Sequence, residues 1–364
     1  MIKINKLKIW MDSCTTKQSR IACSLSFEFD KLGYDYFITA RDIDYNYSYL
    51  RDVFKINFYP VGKLGYTLEE KLLNYALRVK ELTKIIINEE GKPDVMISQA
   101  SPGGVRVAFG LKIPIITFDN SPHAIPVWRL TFALTTYAIL PTSIPKSKAL
   151  KWGVEPDNLY VYDGVDELAW TKNAKINADV LKKLDLKKED RFCVFRPDEA
   201  RSSYFMDNPD LDPNLPVNAL IVKKVIEHFP DHKIVVFPRY EEQAQFFKNQ
   251  WGSKIIIPKE AVDSISLMKF ADVVVSGGGT MTREAALIGT PAVNCVQLDL
   301  LDPDRYLQKF GLPLFYERNI ENAAEKTIEV LKHVDDYRIK DTSNILNQME
   351  SANDVILRIL KEEF

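Results

Sequence analysis

ADVVVSGGGTMTREAALIGTPAV, residues 271–293, is the stretch whose reading decides the fold. Three consecutive β-branched residues, Val273, Val274 and Val275, make 272–276 a short, fully buried strand. Residues 276–280 read as a tight glycine turn, and 281–288 have helical composition until Gly289 and Pro291 stop it. A strand feeding a helix through Gly277, Gly278 and Gly279 lets backbone approach a ligand closely. It also aims unpaired helix N–H groups at an anion, with phosphate the usual occupant. The plainer alternative is a βα turn that needs glycine only for positive φ. Three glycines flanked by Ser276 and Thr280 exceed that need, so Ser276, Gly277, Gly278, Gly279 and Thr280 become candidate ligands of a phosphate.

Outward from this unit, short apolar strands alternate with amphipathic helices, the pattern of parallel α/β sheets. Strands are expected at 8–11, 36–39, 95–98, 115–118, 137–140 and 159–162. Helices fall at 19–32 (ended by Gly33), 68–88, 105–110 and 129–136. A break at Asp163-Gly164-Val165-Asp166 precedes a second series. Its strands are 192–195, 234–237 and 255–257, with helices at 217–228 and 241–249, and a last helix covers 351–362. The simplest architecture is two Rossmann-like halves facing across a cleft: 1–165, then 166–340, with 341–364 as a C-terminal segment. Ligands of such sheets bind beyond the carboxyl ends of the strands, and clefts between domains are common sites.

Composition sets the outer limits. The chain has 364 residues, 46% hydrophobic, enough for two cored domains. A net charge of −2 argues against general nucleic-acid binding. Cys14, Cys23, Cys193 and Cys295 are scattered without a CxxC pair, as expected of reduced thiols in a cytoplasmic protein. The start, MIKINKLKIW, lacks a signal-peptide core, and the apolar run 127–140 is too short to span a bilayer. Peripheral contact with a membrane surface and the oligomeric state are left open.

The carboxyl ends of the expected strands carry the chemistry. Glu284, one turn into the helix after the glycines, can accept the two hydroxyls of a ribose whose phosphates sit on the helix end. An acid there is also favoured by the helix dipole alone. In FRPDEAR, residues 195–201, Arg196 leaves a buried strand where it can hold an oxyanion bidentately, and Arg239 in FPRYEE repeats the arrangement. Either arginine can instead belong to an exposed ion-pair network worth little. Asp12 follows the first strand. SQASPGGVRVAFG opens a helix with Ser101 as cap and Arg106 in its first turn, a second place for an anion or a sugar. FDNSPHA supplies Asp119 and His123, a carboxylate and an imidazole able to take a proton from a hydroxyl, although Asp and Asn also favour turns. Metal signals are weak. Pro230 breaks the helix that would align His228 with His232, which are expected at the surface. The pairs Asp42/Asp44, Asp210/Asp212 and Asp302/Asp304 follow no clear strand, so no metal ligand set and no cofactor are expected.

Four segments together carry a family resemblance: ITARD (38–42), RVAFGLKIPIITF (106–118), FRPDEA (195–200) and SGGGTMTREAALIGTPAV (276–293). In this order, over nearly the whole chain, they resemble the prokaryotic domain-of-unknown-function family 354. That family is similar to the GT-B superfamily, which includes MurG-type glycosyltransferases and the non-hydrolysing UDP-N-acetylglucosamine 2-epimerases. The resemblance implies two Rossmann-like domains with a nucleotide-sugar between them and a C-terminal helix crossing back onto the N-terminal domain. It implies the diphosphate on Gly278, Gly279 and Thr280, and the ribose on Glu284. The chain departs from its relatives in three places. Residues 12–18 (DSCTTKQ) hold neither glycine nor histidine, Arg196 stands roughly where the epimerases have a histidine, and 126–129 (PVWR) offer no acid. The expected activity is therefore a metal-independent glycosyltransferase using a UDP-sugar and an unknown acceptor. The alternatives are a UDP-N-acetylglucosamine 2-epimerase-like enzyme and a catalytically silent nucleotide- or glycan-binding protein on the same fold.

Overall fold

A computed structural model describes residues 6–202, 205, 212 and 214–364; Asp210 of the Asp210/Asp212 pair lies outside them. The chain divides into two compact units, Met1–Trp170 with Glu350–Phe364, and Thr171–Met349.

The described strands of the first unit are β1 (Lys8–Ser13), β2 (Asp35–Asp42), β3 (Tyr59–Lys63), β4 (Val95–Ser98), β5 (Ile115–Phe118), β6 (Tyr137–Pro141) and β7 (Leu159–Tyr162). They form one parallel sheet in the order β3-β2-β1-β4-β5-β6-β7. Alternation along β1 serves both faces: Ile9 and Met11 join one core, while Trp10 joins the core on the other side. Helix Thr16–Leu32 starts on Thr15, whose side chain accepts from the Gln18 N–H, and ends on Gly33 at φ 73°. Helix Ala352–Glu363 opens with a capping box, Ser351 and Asp354 reciprocally bonded. It buries Val355, Ile356, Ile359 and Leu360 against Ile9, Ile38 and Phe118. Four aliphatic side chains at roughly 1.5–3 kcal/mol each make this segment part of the first unit's core. The return is fixed where the Glu350 N–H donates to the Asp163 carbonyl (2.9 Å). Gly164 is required there, since a Cβ would run into the Glu350 carbonyl.

The second unit's described strands are β8 (Phe192–Arg196), β9 (Lys233–Val236), β10 (Ile255–Ile256), β11 (Val273–Ser276), β12 (Ala292–Asn294) and β13 (Leu314–Tyr316). The sheet is again parallel, ordered β10-β9-β8-β11-β12-β13. Its central strands are buried on both faces: Cys193, Phe195, Val273 and Val275 share a core with helix Ala219–His228 and with Val330 and Leu331 of helix Ile320–Lys332. All four cysteines are free and buried, and burial pushes the thiols of Cys23, Cys193 and Cys295 up. No helix among the described residues is long and apolar enough to cross a membrane.

Candidate functional site

In the second sheet the chain starts at β8 and runs outward to β9 and β10 on one side, then to β11, β12 and β13 on the other. The carboxyl ends of β8 and β11 therefore flank the topological switch point, where open parallel sheets receive ligands. Ser276, ending β11, is in register with Arg196, ending β8. Helix Gly279–Leu287 begins at this point. Its N-cap, Gly278, is extended (φ −162°, ψ 152°), and no side chain caps the first turn. The opening N–H groups are thus available to an anion, and Gly278, Gly279 and Thr280 are half-exposed. The helix starts two residues earlier than expected, so Gly279 and Thr280 belong to its first turn.

The glycines serve proximity, since none of the three adopts positive φ. A Cβ on Gly277 would lie 2.7–2.8 Å from the Asp198 backbone and Cβ, and one on Gly278 would lie 3.2 Å from Arg239 Nη2. Arg239 reaches the turn while its Nε donates to the Pro197 carbonyl (3.1 Å) and its Nη1 lies 3.4 Å from Glu199. Arg196 turns sideways instead: its Nη1 donates to the carbonyls of Phe237 (3.1 Å) and Pro238 (3.3 Å), tying the β8 and β9 exits together. Beneath the turn Arg283 pairs with buried Asp304 (2.9 Å), which also accepts from Asn294 (3.0 Å). Asp304 is therefore an ion-pair partner within the fold. Glu284 is completely buried one turn into the helix. Asp198, 1% exposed, accepts from the Val217 N–H (3.2 Å), and burial raises its carboxyl despite the nearby charge of Arg239.

The first sheet has its own switch point, between β1 and β4. Asp12 sits there in a closed network. Its two oxygens take a bidentate Arg78 guanidinium (2.6 and 3.0 Å) and the hydroxyls of Thr39 and Ser101 (2.5 Å each). Burial would raise the Asp12 carboxyl, but Arg78 and the two hydroxyls hold it below its ordinary range. Asp12 and Ser101 are thus joined to each other and engaged from within. Arg106 is exposed, its guanidinium lying over Gly110 at the far end of its helix, and is not brought to the group.

Asp119 lies at the exit of β5 in a buried polar cluster. The Trp128 indole donates to its carboxylate, and Lys17 Nζ donates to Asn120 (2.9 Å) and Asp166 (2.9 Å) and lies 3.3 Å from Glu167. Asp166 also accepts from Gln99 (2.6 Å) and from the Tyr162 hydroxyl. Burial, with the charge of Asp166, pushes Asp119 up to about 6 against the opposing indole and Lys17. Such a carboxyl exchanges its proton near neutrality. The buried amide nitrogen of Asn120 has no partner among the described residues, and His123 follows on a half-exposed turn. Lys17, Gln99, Asn120, Asp166 and Glu167 were not anticipated. The available signal was VDEL at 165–168, an acid pair just after a buried strand, which reads equally well as a linker.

Among the described residues no group of three or more His, Cys, Asp or Glu is arranged to hold a metal ion. His232 is not at the surface; its Nε2 lies 3.4 Å from Asp272. His228 is exposed.

Two doubly wound parallel sheets with their polar groups gathered at the strand exits define an α/β protein of the GT-B fold. The chain belongs to the family described as protein of unknown function DUF354, whose model matches residues 7–362. It is 34% identical to an uncharacterised protein of Methanocaldococcus jannaschii over 306 residues, 83% of this chain and 85% of that one. It is 25% identical to the UDP-N-acetylglucosamine 2-epimerase of the same organism over 240 residues, 58% and 62% of the two chains. Among solved structures, the M. jannaschii UDP-GlcNAc 2-epimerase in complex with UDP-GlcNAc and UDP superposes with a TM-score of 0.72 at 19% identity, covering 98% of this chain and 99% of that one. The Neisseria meningitidis enzyme bound to UDP-GlcNAc gives 0.71 at 17% identity, covering 98% and 100%.

Proposed function

We propose that the protein is a glycosyltransferase that takes a UDP-sugar as donor and needs neither metal nor cofactor. The observation that carries this reading is the uncapped, half-exposed start of helix Gly279–Leu287 at the switch point, with Arg239 beside Gly278. The donor's diphosphate accepts from the first N–H groups of that helix. Arg239 and the helix end oppose the charge that builds on the departing diphosphate, the task a metal ion performs elsewhere. Glu284, one turn further along the same helix, is the group offered to the ribose hydroxyls. Asp119, held near neutrality by its surroundings, takes the proton of the acceptor hydroxyl, with His123 as the neighbouring alternative. Arg196 acts by fixing the strand exits.

A second reading, a 2-epimerase of UDP-sugars, is favoured by the 25% sequence match to such an enzyme. Calorimetry with UDP, UDP-N-acetylglucosamine and other nucleotides, with and without magnesium, tests the shared premise. Micromolar binding, on the order of −8 kcal/mol, should be indifferent to the metal and weaker in Arg239→Ala and Glu284→Ala. Absence of any nucleotide binding overturns both readings. Incubation with UDP-sugars in heavy water then separates them. UDP release that requires an acceptor supports the transferase, while deuterium entering sugar C2 without acceptor supports the epimerase. Binding with neither reaction leaves a binding protein.

A further inference from the structure

Residues 120–154 contain Arg129, Lys146, Lys148 and Lys151 and not one Asp or Glu, in a chain whose net charge is −2. The acids that bound the segment are the buried Asp119 and the exposed Glu155. Within it, helix Ile125–Thr131 and helix Ser147–Leu150 meet through one core, where Trp128 and Phe132 pack with Ile144, Ala149 and the half-buried Trp152. Trp128 and Thr131 take the inner side of the first helix. At about 100° per residue this leaves Ile125, Pro126, Arg129 and Leu130 together on the outer side, and all four are exposed. Ile125 is 44% exposed and Leu130 53%, and Leu150 on the neighbouring helix is 36%. Trp152 joins the two parts of the face: the Arg129 guanidinium and Lys151 Nζ each stand 4.9 Å from its ring centroid. Among the described residues no carboxylate pairs with Arg129, Lys146 or Lys151.

We propose that this face docks on an anionic lipid surface, with Ile125, Leu130 and Leu150 entering the headgroup boundary and the cations around them meeting the lipid phosphates. The face combines two features, and that partner uses both. Cations alone would suit a nucleic acid, which would leave the exposed aliphatic side chains in water. Aliphatic side chains alone would suit a second copy of the chain, but two such faces would bring Arg129, Lys146 and Lys151 against their own kind. At an anionic bilayer, Lys and Arg extend their charged ends to the headgroups while their stems and the aliphatic neighbours lie deeper. Trp152, an apolar ring between two cations, has the composition of an interfacial anchor.

Cosedimentation of the full chain with vesicles tests the docking. The wild type should bind mixed phosphatidylcholine–phosphatidylglycerol vesicles and leave pure phosphatidylcholine vesicles largely unbound. Added salt should weaken the binding without abolishing it, because the apolar contribution is not screened. Arg129→Glu/Lys151→Glu should weaken the partition about tenfold or more. Lys183→Glu/Lys188→Glu, which changes the charge equally at exposed lysines of the second unit, should bind as the wild type does. Ile125→Ser/Leu130→Ser should weaken binding while keeping the preference for anionic lipid. All the substituted side chains are exposed, and melting curves show whether each variant is folded. A wild type with no preference for the anionic vesicles overturns the proposal, as does a 129/151 reversal that binds no worse than the 183/188 control. Unchanged binding of the serine variant also overturns it, since the face would then be a purely electrostatic site suited to an acidic macromolecule.

Discussion

Replacing Asp119 with asparagine keeps the shape of the side chain and its ability to accept from the Trp128 indole, but removes the charge. The carboxyl ordinarily titrates at 3.8, and in the folded protein burial and Asp166 push it up to about 6. Between these values the native state holds a proton that the unfolded chain has released. Stability therefore falls as pH rises through the window, and above it the native state carries the whole cost of ionising a buried group. The gap corresponds to about 3 kcal/mol. Asparagine bears none of this cost, so Asp119→Asn should match the wild type near pH 4 and exceed it by about 3 kcal/mol at pH 7 to 8. For a unit of this size the difference is about 6–12 °C in melting temperature. Calorimetric melts of both proteins from pH 4 to pH 8 measure it, and Trp128 fluorescence should follow the same titration in the wild type. A melting difference that stays constant with pH, or an asparagine variant less stable at pH 7, refutes the argument. The same variant should lose about 10²–10⁴-fold in turnover if Asp119 is the base. Gained stability and lost activity would then arise from one charge.

Arg78→Met leaves Asp12 buried without its partner and should cost about 3–5 kcal/mol in a denaturant titration; a loss below about 1 kcal/mol would show that the pair does not hold the β1–β4 switch point. Because the Asp12 carboxyl is held below its ordinary 3.8, its contribution is present above that value and lost as pH falls beneath it. Gly277→Ala must push the Asp198 backbone aside, since the new Cβ would stand 2.7–2.8 Å from it. It should lower stability by about 1–3 kcal/mol and abolish UDP binding, while unaltered affinity would detach the turn from the nucleotide.

Long, strongly patterned segments were legible. The helix ended by Gly33 and the strands at 95–98, 115–118 and 159–162 stand where hydrophobic runs and their stops placed them. β12 and β13 were not, because strands of three residues each, one following Pro291 and the other Pro313, give no period to read. β3 was missed for a related reason. It carries Pro60 and Gly62, which argue against a central strand and are tolerated only because it lies at the sheet edge. At the site, residues on a strand exit could be named from sequence, but what they face could not. Arg196 and Arg239 look equivalent in the sequence, yet one is spent on carbonyl oxygens and the other lies at the glycine turn. Partners 149 residues apart, such as Lys17 and Asp166, leave no local trace.

Helix Ala352–Glu363 belongs to the core of the unit that holds Met1–Trp170. During synthesis the first unit therefore emerges with Ile9, Ile38 and Phe118 facing a place that stays empty until residues 352–363 leave the ribosome. The second unit, continuous from Thr171 to Met349, has its whole sequence available earlier and can complete its core first. The order of maturation is thus the reverse of the order of translation. A stop codon before residue 352 would leave that face of the sheet uncovered permanently.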